Sequence, residues 1–202
     1  VARRPSPALA AQIQGVLARF PQAKWIQWEP VGRHNAREGS RLAFGEYVDA
    51  QYAVEKADVI LSLDADFTCG GPNGVKHARA FASRRRIEGD RTQQHRLYAV
   101  ESDPTNTGTK ADHRLALRAS EIEGFARALA TQLGVTGLGP GTVPDAAQAW
   151  LAPLVKDLQG APGRSLVIAG DGQPAGVHAV ATAADRLIAA GFGRDERVAA
   201  KL

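Results

Sequence analysis

The sequence predicts a doubly wound α/β fold: a mostly parallel sheet with helices on both faces. Three observations carry that expectation. The runs Val59-Ile-Leu-Ser-Leu63, Leu97-Tyr-Ala-Val100 and Leu166-Val-Ile-Ala169 are short and almost wholly apolar, as strands buried on both faces are. Each stops abruptly at acidic residues and a polar loop: Asp64-Ala-Asp66, Glu101-Ser-Asp103 and Gly170-Asp171. Parallel strands end this way where they deliver their C-terminal ends to a ligand crevice. Between the runs lie segments of helical period, giving the alternating order that a covered parallel sheet requires.

In chain order, Pro5 to Phe20 reads as a helix, with prolines near its start and Leu9, Ile13, Val16, Leu17 and Phe20 at helical spacing. Ala23 to Trp28 reads as a strand ended by Glu29-Pro30, and Asn35 to Phe44 as a helix closed by Gly45. Val54 to Ala57 leads into the Val59–Leu63 strand. After Gly70-Gly-Pro-Asn-Gly74 a helical period runs from Val75 to Arg86 through Val75, Ala78 and Ala82. The Leu97–Val100 strand opens a long loop containing the turn formers Pro104, Asn106 and Gly108, and Leu115-Ala-Leu117 is a short further strand. Ser120 with Glu123 three residues on has a capping-box pattern. The helix that follows turns Ile122, Phe125, Ala126, Leu129 and Leu133 inward and ends at Gly134.

The Gly-rich stretch Val135–Val143 is the expected linker. A helix from Pro144 to Gln159 then presents Trp150, Leu151, Leu154, Val155 and Leu158 to the core, followed by the Leu166–Ala169 strand and a helix from Pro174 to Ala190. The implied division is an α/β lobe over 1–134 with the first two strand-end loops, a linker over 135–143, and a helix–strand–helix over 144–202 that completes the same or an adjoining lobe.

Composition narrows the class. At 202 residues, 44% hydrophobic and 23% charged, the chain has a globular profile and no apolar run near the roughly 20 residues of a membrane span. Direct membrane insertion is not expected. The chain starts at Val1 and holds no Met, so it is expected to be part of a longer polypeptide. The net charge of +4 is carried largely by arginine, in Arg84-Arg85-Arg86 with Arg91 and Arg96. No aromatic platform interleaves that cluster, so it reads as a solvated helix end and no nucleic acid partner is expected. The single cysteine, Cys69, excludes an internal disulfide or a cysteine-ligated cluster within this stretch.

Motifs for common chemistries are missing. No Gly-x-Gly-x-x-Gly follows a predicted strand; Gly137-Leu-Gly-Pro-Gly141 follows a helix and contains proline, and there is no Walker motif. His34, His77, His95, His113 and His178 are scattered, with no pair at metal-ligand spacing. Ser62 lies within a strand run, and the sequence around Cys69 does not suggest an activated thiolate. No catalytic residue and no metal ligand is assigned.

The acidic strand ends remain: Asp64, Asp66, Glu101, Asp103 and Asp171. A single carboxylate there accepts hydrogen bonds from a guanine edge or ribose hydroxyls. Several together repel a pyrophosphate, since unit charges about 5 Å apart at an effective dielectric near 20 interact by roughly 3 kcal/mol. Lys76, Arg79, Lys110, Arg114 and Arg118 are the cations placed to offset this. The competing reading is that Asp64 and Asp103 satisfy loop amides and helix N-termini.

The segments "ADVILSLDADF", "VESDPTNTGTKADHRLALRASEIEGFARALA" and Ser165–Ala179 resemble the molybdopterin oxidoreductase (dimethyl sulfoxide reductase-like) superfamily. "FPQAKWIQWEP", "LAFG" and "RLYAVESDPTNTG" look most like the molybdopterin-oxidoreductase-like domain of alternative complex III B subunits, over roughly Gln12 to Leu187. The resemblance departs from cofactor-binding members at telling places. Asp64-Ala-Asp-Phe67 stands where they have a glycine, a small residue and Asn or Asp. Asp103-Pro-Thr105 replaces their Asp-Pro-Arg, and Ala119-Ser-Glu-Ile122 their Pro-Gly-Thr-Asp. No residue matches a molybdenum ligand.

The resemblance therefore implies a cofactor-free scaffold domain within a respiratory quinol-oxidising complex. Its expected partners are an iron–sulfur domain of the same polypeptide, a multihaem cytochrome c and integral membrane quinol-binding subunits. It also implies a peripheral place on the periplasmic side of the cytoplasmic membrane, with iron–sulfur clusters outside this stretch. Trp25, Trp28 and Tyr47 are the candidate subunit contacts, with at least one tryptophan expected to pack in the core instead. The alternative it leaves open is a working molybdenum enzyme domain. That domain would hold molybdopterin guanine dinucleotide along Asp64–Gly71, Glu101–Thr109 and Gly170–Gln173, so that Asp64, Asp66, Glu101, Asp103, Thr105 and Asp171 are either vestigial or cofactor contacts.

Overall fold

The computed structural model describes residues 6–26, 28, 30–71, 73–89 and 93–190, the side chains of 187, 189 and 190 excepted. The chain divides into two compact units, Val1–Arg33 and His34–Leu202. In the first, helix α1 (Pro7–Arg19) starts where Ser6 Oγ accepts from Leu9 N at 3.2 Å and Pro7 supplies a preset φ. Its apolar stripe is not buried: Leu9 is 44%, Val16 52% and Phe20 56% exposed. The strand expected over Ala23–Trp28 does not form. Residues 23–26 and 28 have no strand pairing, and Gln27 lies outside the described residues. Trp25, Ile26 and Trp28 are β-prone in type, but a strand needs a neighbour to satisfy its amides.

The second unit holds the sheet. Helix α2 (His34–Phe44) ends at Gly45, whose φ of 77° only glycine adopts readily and whose N donates to Arg41 O. Strand β1 (Val59–Leu63) follows a 3-10 turn over Val54–Lys56. Then come α3 (Gly74–Arg85), β2 (Arg96–Glu101), β3 (His113–Ala116), α4 (Ala119–Leu133), α5 (Asp145–Gly160), β4 (Ser165–Ala169) and α6 (Ala175–Ala190). The four strands run parallel in the order β3-β2-β1-β4, with Leu61 opposite Tyr98 and Val167. Strand β4 pairs directly with β1, so residues beyond the Gly-rich stretch build the same sheet.

The period-2 alternation of strands explains why these runs are apolar throughout. Val59, Leu61, Leu63, Tyr98, Val100, Val167 and Ala169 face a core made with α4, α5 and α6. Ile60, Leu97 and Ile168 face the opposite side, with Phe67, Phe81 and Val54, beneath α3. Helices thus cover both faces, as the sequence predicted.

Strand β3 and helix α4 start differently from the expectation for identifiable reasons. Strand β3 begins at His113, not at Leu115, because an edge strand tolerates exposed polar residues. Helix α4 begins at Ala119: Glu121 Oε2 accepts from Arg118 N at 3.0 Å, while Glu123 pairs instead with Arg127 at 2.7 Å. The other sheet edge is guarded by α6, where Asp185 accepts from Val167 N at 2.8 Å. Burial pushes the Asp185 carboxyl well above its ordinary range.

The Gly-rich stretch is packed against α4. A Cβ on Gly124 would meet Thr142 O at 2.2 Å, and one on Gly141 would meet Gly124 O at 2.3 Å and Ala128 N at 2.5 Å. Leu138 and Val143 also lie against the core. Gly141→Ala is therefore expected to cost about 1–3 kcal/mol by forcing two backbones apart. Gly139→Ala, whose nearest neighbour is the tip of Arg127 at 3.9 Å, is the control in the same urea titration.

Three arginines of the cluster make ion pairs at the strand entrances, and a fourth makes an exposed local pair. Arg84 pairs with Asp58, Arg85 with Asp112, Arg96 with Asp157 and Arg86 with Glu88, while Arg91 lies outside the described residues. Among the described residues, no helix is long and apolar enough to cross a membrane.

Candidate functional site

The C-terminal ends of β1, β2 and β4 form a crest, and the chain's topology brings the acidic loops there. Immediately after β1, Asp64 takes φ 55°, a left-handed conformation that short polar side chains tolerate. Its Oδ1 accepts from Ser102 N at 2.9 Å and Ser102 Oγ at 3.0 Å, and its Oδ2 accepts from Gln173 Nε2 at 2.9 Å. One carboxylate therefore ties the loops after β1, β2 and β4 together.

Asp66 performs the same task between two loops. Its Oδ1 accepts from Thr107 N at 3.0 Å and Thr107 Oγ1 at 2.7 Å, and Thr107 Oγ1 also lies 3.0 Å from Thr68 Oγ1. Thr107 is fully buried, so this carboxylate supplies the acceptors its amide and hydroxyl would otherwise lack.

Glu101, the last residue of β2, is 3% exposed. Its Oε2 accepts from Thr105 Oγ1 at 2.7 Å and its Oε1 from Arg114 Nε at 2.5 Å. Thr105 Oγ1 in turn accepts from Gly108 N at 3.0 Å. A Cβ on Gly108 would lie 1.8 Å from Glu101 Oε1, so glycine alone lets the loop close over this carboxylate. Thr105 thus serves as an internal bridge.

Asp103 and Asp171 are exposed residues on the loops after β2 and β4. The cations Lys76, Arg79 and Lys110 are also exposed, whereas Arg114 is drawn to Glu101. Cys69, exposed on the β1 loop, accepts from Asn106 Nδ2 at 3.2 Å.

Sequence reasoning placed the acids at the strand ends but did not single out Ser102 or Thr107; it named Gly108 only as a turn former, and Gly170 and Gln173 only as the bounds of a candidate cofactor loop. The signal present was the density of hydroxyl residues in Ser102–Thr109, since such side chains favour local bonds to loop groups.

Elsewhere, an open hollow of about 640 Å³ lies between the N-terminal ends of α2 and α6, lined by His34, Asn35, Arg37, Glu38, Tyr47 and Ala175. Its carboxylate is already engaged: Glu38 accepts from Arg41 Nε at 2.8 Å and Tyr47 Oη at 3.3 Å. The Arg41 hydrogen bond holds the Glu38 carboxyl below its ordinary range.

Two of the histidines, His77 and His113, pack against aromatic rings. His77 is buried beside Tyr52 and Phe67, and burial lowers its pKa; His113 stacks on Tyr98 at 4.6 Å. Among the described residues, no three His, Cys, Asp or Glu side chains are grouped as metal ligands.

No family model matches this chain, and no curated protein matches it. The crest offers carboxylate acceptors that are already engaged by the amides and hydroxyls of its own loops.

Proposed function

We propose that this chain is a scaffold domain of a respiratory quinol-oxidising electron-transfer complex, similar to the molybdopterin-oxidoreductase-like domain of alternative complex III B subunits. In this reading its crest holds no pterin cofactor. The supporting observation is the closure of the crest by its own carboxylates: Asp64 bonds Ser102 and Gln173, Asp66 bonds Thr107, and Glu101 bonds Thr105 and Arg114. A dinucleotide diphosphate requires inward-facing donors, such as amides at a helix N-terminus or a guanidinium. Here Ser102 N and Thr107 N donate to carboxylates, and Thr105 stands where cofactor-binding relatives carry the arginine. The residues present do not suit a diphosphate.

The domain's role would be to present surface to other subunits: an iron–sulfur domain of the same polypeptide, a multihaem cytochrome c and membrane quinol-binding subunits, on the periplasmic side. Large exposed aromatic residues support that role, with Trp25 54%, Trp28 82% and Tyr47 66% accessible. The resemblance of the sequence supplies the identity of the complex.

The test is direct. The chain, expressed with its flanking regions in a host that makes the guanine dinucleotide cofactor, is expected to contain far less than one molybdenum and one released pterin per polypeptide. Stoichiometric metal and pterin would overturn the scaffold reading in favour of a working molybdenum enzyme.

A further inference from the structure

The entrance end of the sheet, opposite the crest, holds a histidine with no partner. His95 is 1% exposed, and neither of its ring nitrogens has a hydrogen-bond partner. Its ring packs on Phe81 of α3, with centroids 4.4 Å apart, and the guanidinium of Arg85 lies over the same Phe81 ring at 5.0 Å. The charged groups facing it are Arg84 and Arg85 from α3, Asp58 at the entrance to β1 and Asp112 at the entrance to β3.

Both carboxylates are committed elsewhere. Asp58 pairs with Arg84 and, through Oδ2, with Arg164 Nε at 2.7 Å; Asp112 pairs with Arg85 at 2.5 Å and accepts from Leu97 N at 2.7 Å. The Nε atoms of Arg84 and Arg85 are themselves buried without an acceptor. A neutral imidazole suits such a place, but an imidazolium would sit in a dry pocket beside two guanidinium groups.

We propose that this cluster is an acid-sensitive latch: protonation of His95 sets a third cation against Arg84 and Arg85 and releases the C-terminal turn of α3 from the entrance of β2. The direction of the titration agrees. Burial first, then Arg85 and Arg84, push His95 down to about 4. Because that folded-state value lies below the unfolded value of about 6.5, the stability His95 contributes is complete above pH 6.5. It is lost as pH falls towards 4 and is lost no further below that. His77 is also lowered by burial and acts in the same sense. Asp185 is raised and acts in the opposite one, its contribution being lost as pH rises. The readout must therefore be local to His95.

The experiment combines a ring-nitrogen titration of His95 by NMR with amide exchange at pH 7 and pH 4.5, on the wild type and on His95→Phe, which keeps the stack on Phe81. His95 is expected to titrate near 4. Protection factors in the last turn of α3 and at the start of β2 should fall about tenfold or more between the two pH values, while those in β4 and α6 hold. In His95→Phe the local fall should shrink below about twofold. A midpoint above 6, or an equal fall in His95→Phe, would overturn the latch. If His95→Phe does not fold, the wild type decides: titration near 4 without local loss of protection overturns it equally.

Discussion

Gly170→Ala is expected to be strongly damaging, costing about 3 kcal/mol or more. Gly170 follows β4, and its N donates to Leu63 O at 2.9 Å, which extends the β1–β4 ladder into the crest. A Cβ there would lie 1.9 Å from Asp64 O and 2.6 Å from the Asp64 carbonyl carbon. That backbone has little room to yield. Asp64 is held at φ 55°, its N donates to Val100 O at 2.7 Å, and its side chain is bonded to Ser102 and Gln173. Moving it disturbs three strand ends at once. For a chain of this size the loss corresponds to roughly 6–12 °C in Tm. Gly172→Ala, with nothing within 4 Å, is the control. A Gly170→Ala variant within about 0.5 kcal/mol of wild type in urea unfolding would show that the crest is looser than described.

Glu101→Ala is the second large effect, at about 2–4 kcal/mol. The carboxylate is buried, and its removal strands Thr105 Oγ1 and frees Arg114 while leaving a void beside Gly108. Arg114 is 35% exposed and can rehydrate, which keeps the loss below that of a fully buried pair. Glu101→Gln, which preserves the shape, should lose about half as much.

A sharper test is the coupling with Gly108. Alone, Gly108→Ala drives a methyl group to within 1.8 Å of the Glu101 carboxylate. In the Glu101→Ala background that collision is gone, so the second substitution should cost at least about 1 kcal/mol less than it does alone. Strict additivity would mean that the loop does not close over Glu101 as described.

The strands inside the sheet were legible because burial on both faces leaves no polar position to confuse the reading. Val59–Leu63 carries this signal in every residue but Ser62, whose hydroxyl is satisfied locally by Ala65 O at 2.7 Å. The edge was less legible: His113 and Arg114 open β3, and nothing in their type distinguishes an edge strand from a loop. At Trp25, Ile26 and Trp28 the expectation failed in the other direction: residues suited to a pleated surface take no strand conformation.

The crest marks the boundary between the two kinds of information. Residue type and the alternation of apolar runs and helical segments were enough to determine an α/β fold and to place acids at the strand ends, because burial and periodicity are local properties of the chain. Where the carboxylate lone pairs go is not local. Asp64 meets Gln173 across 109 positions, and Asp66 meets Thr107 across 41. Only the parallel register of β1 between β2 and β4 brings those donors within 3 Å, and that register is what lets the rim fasten its own loops.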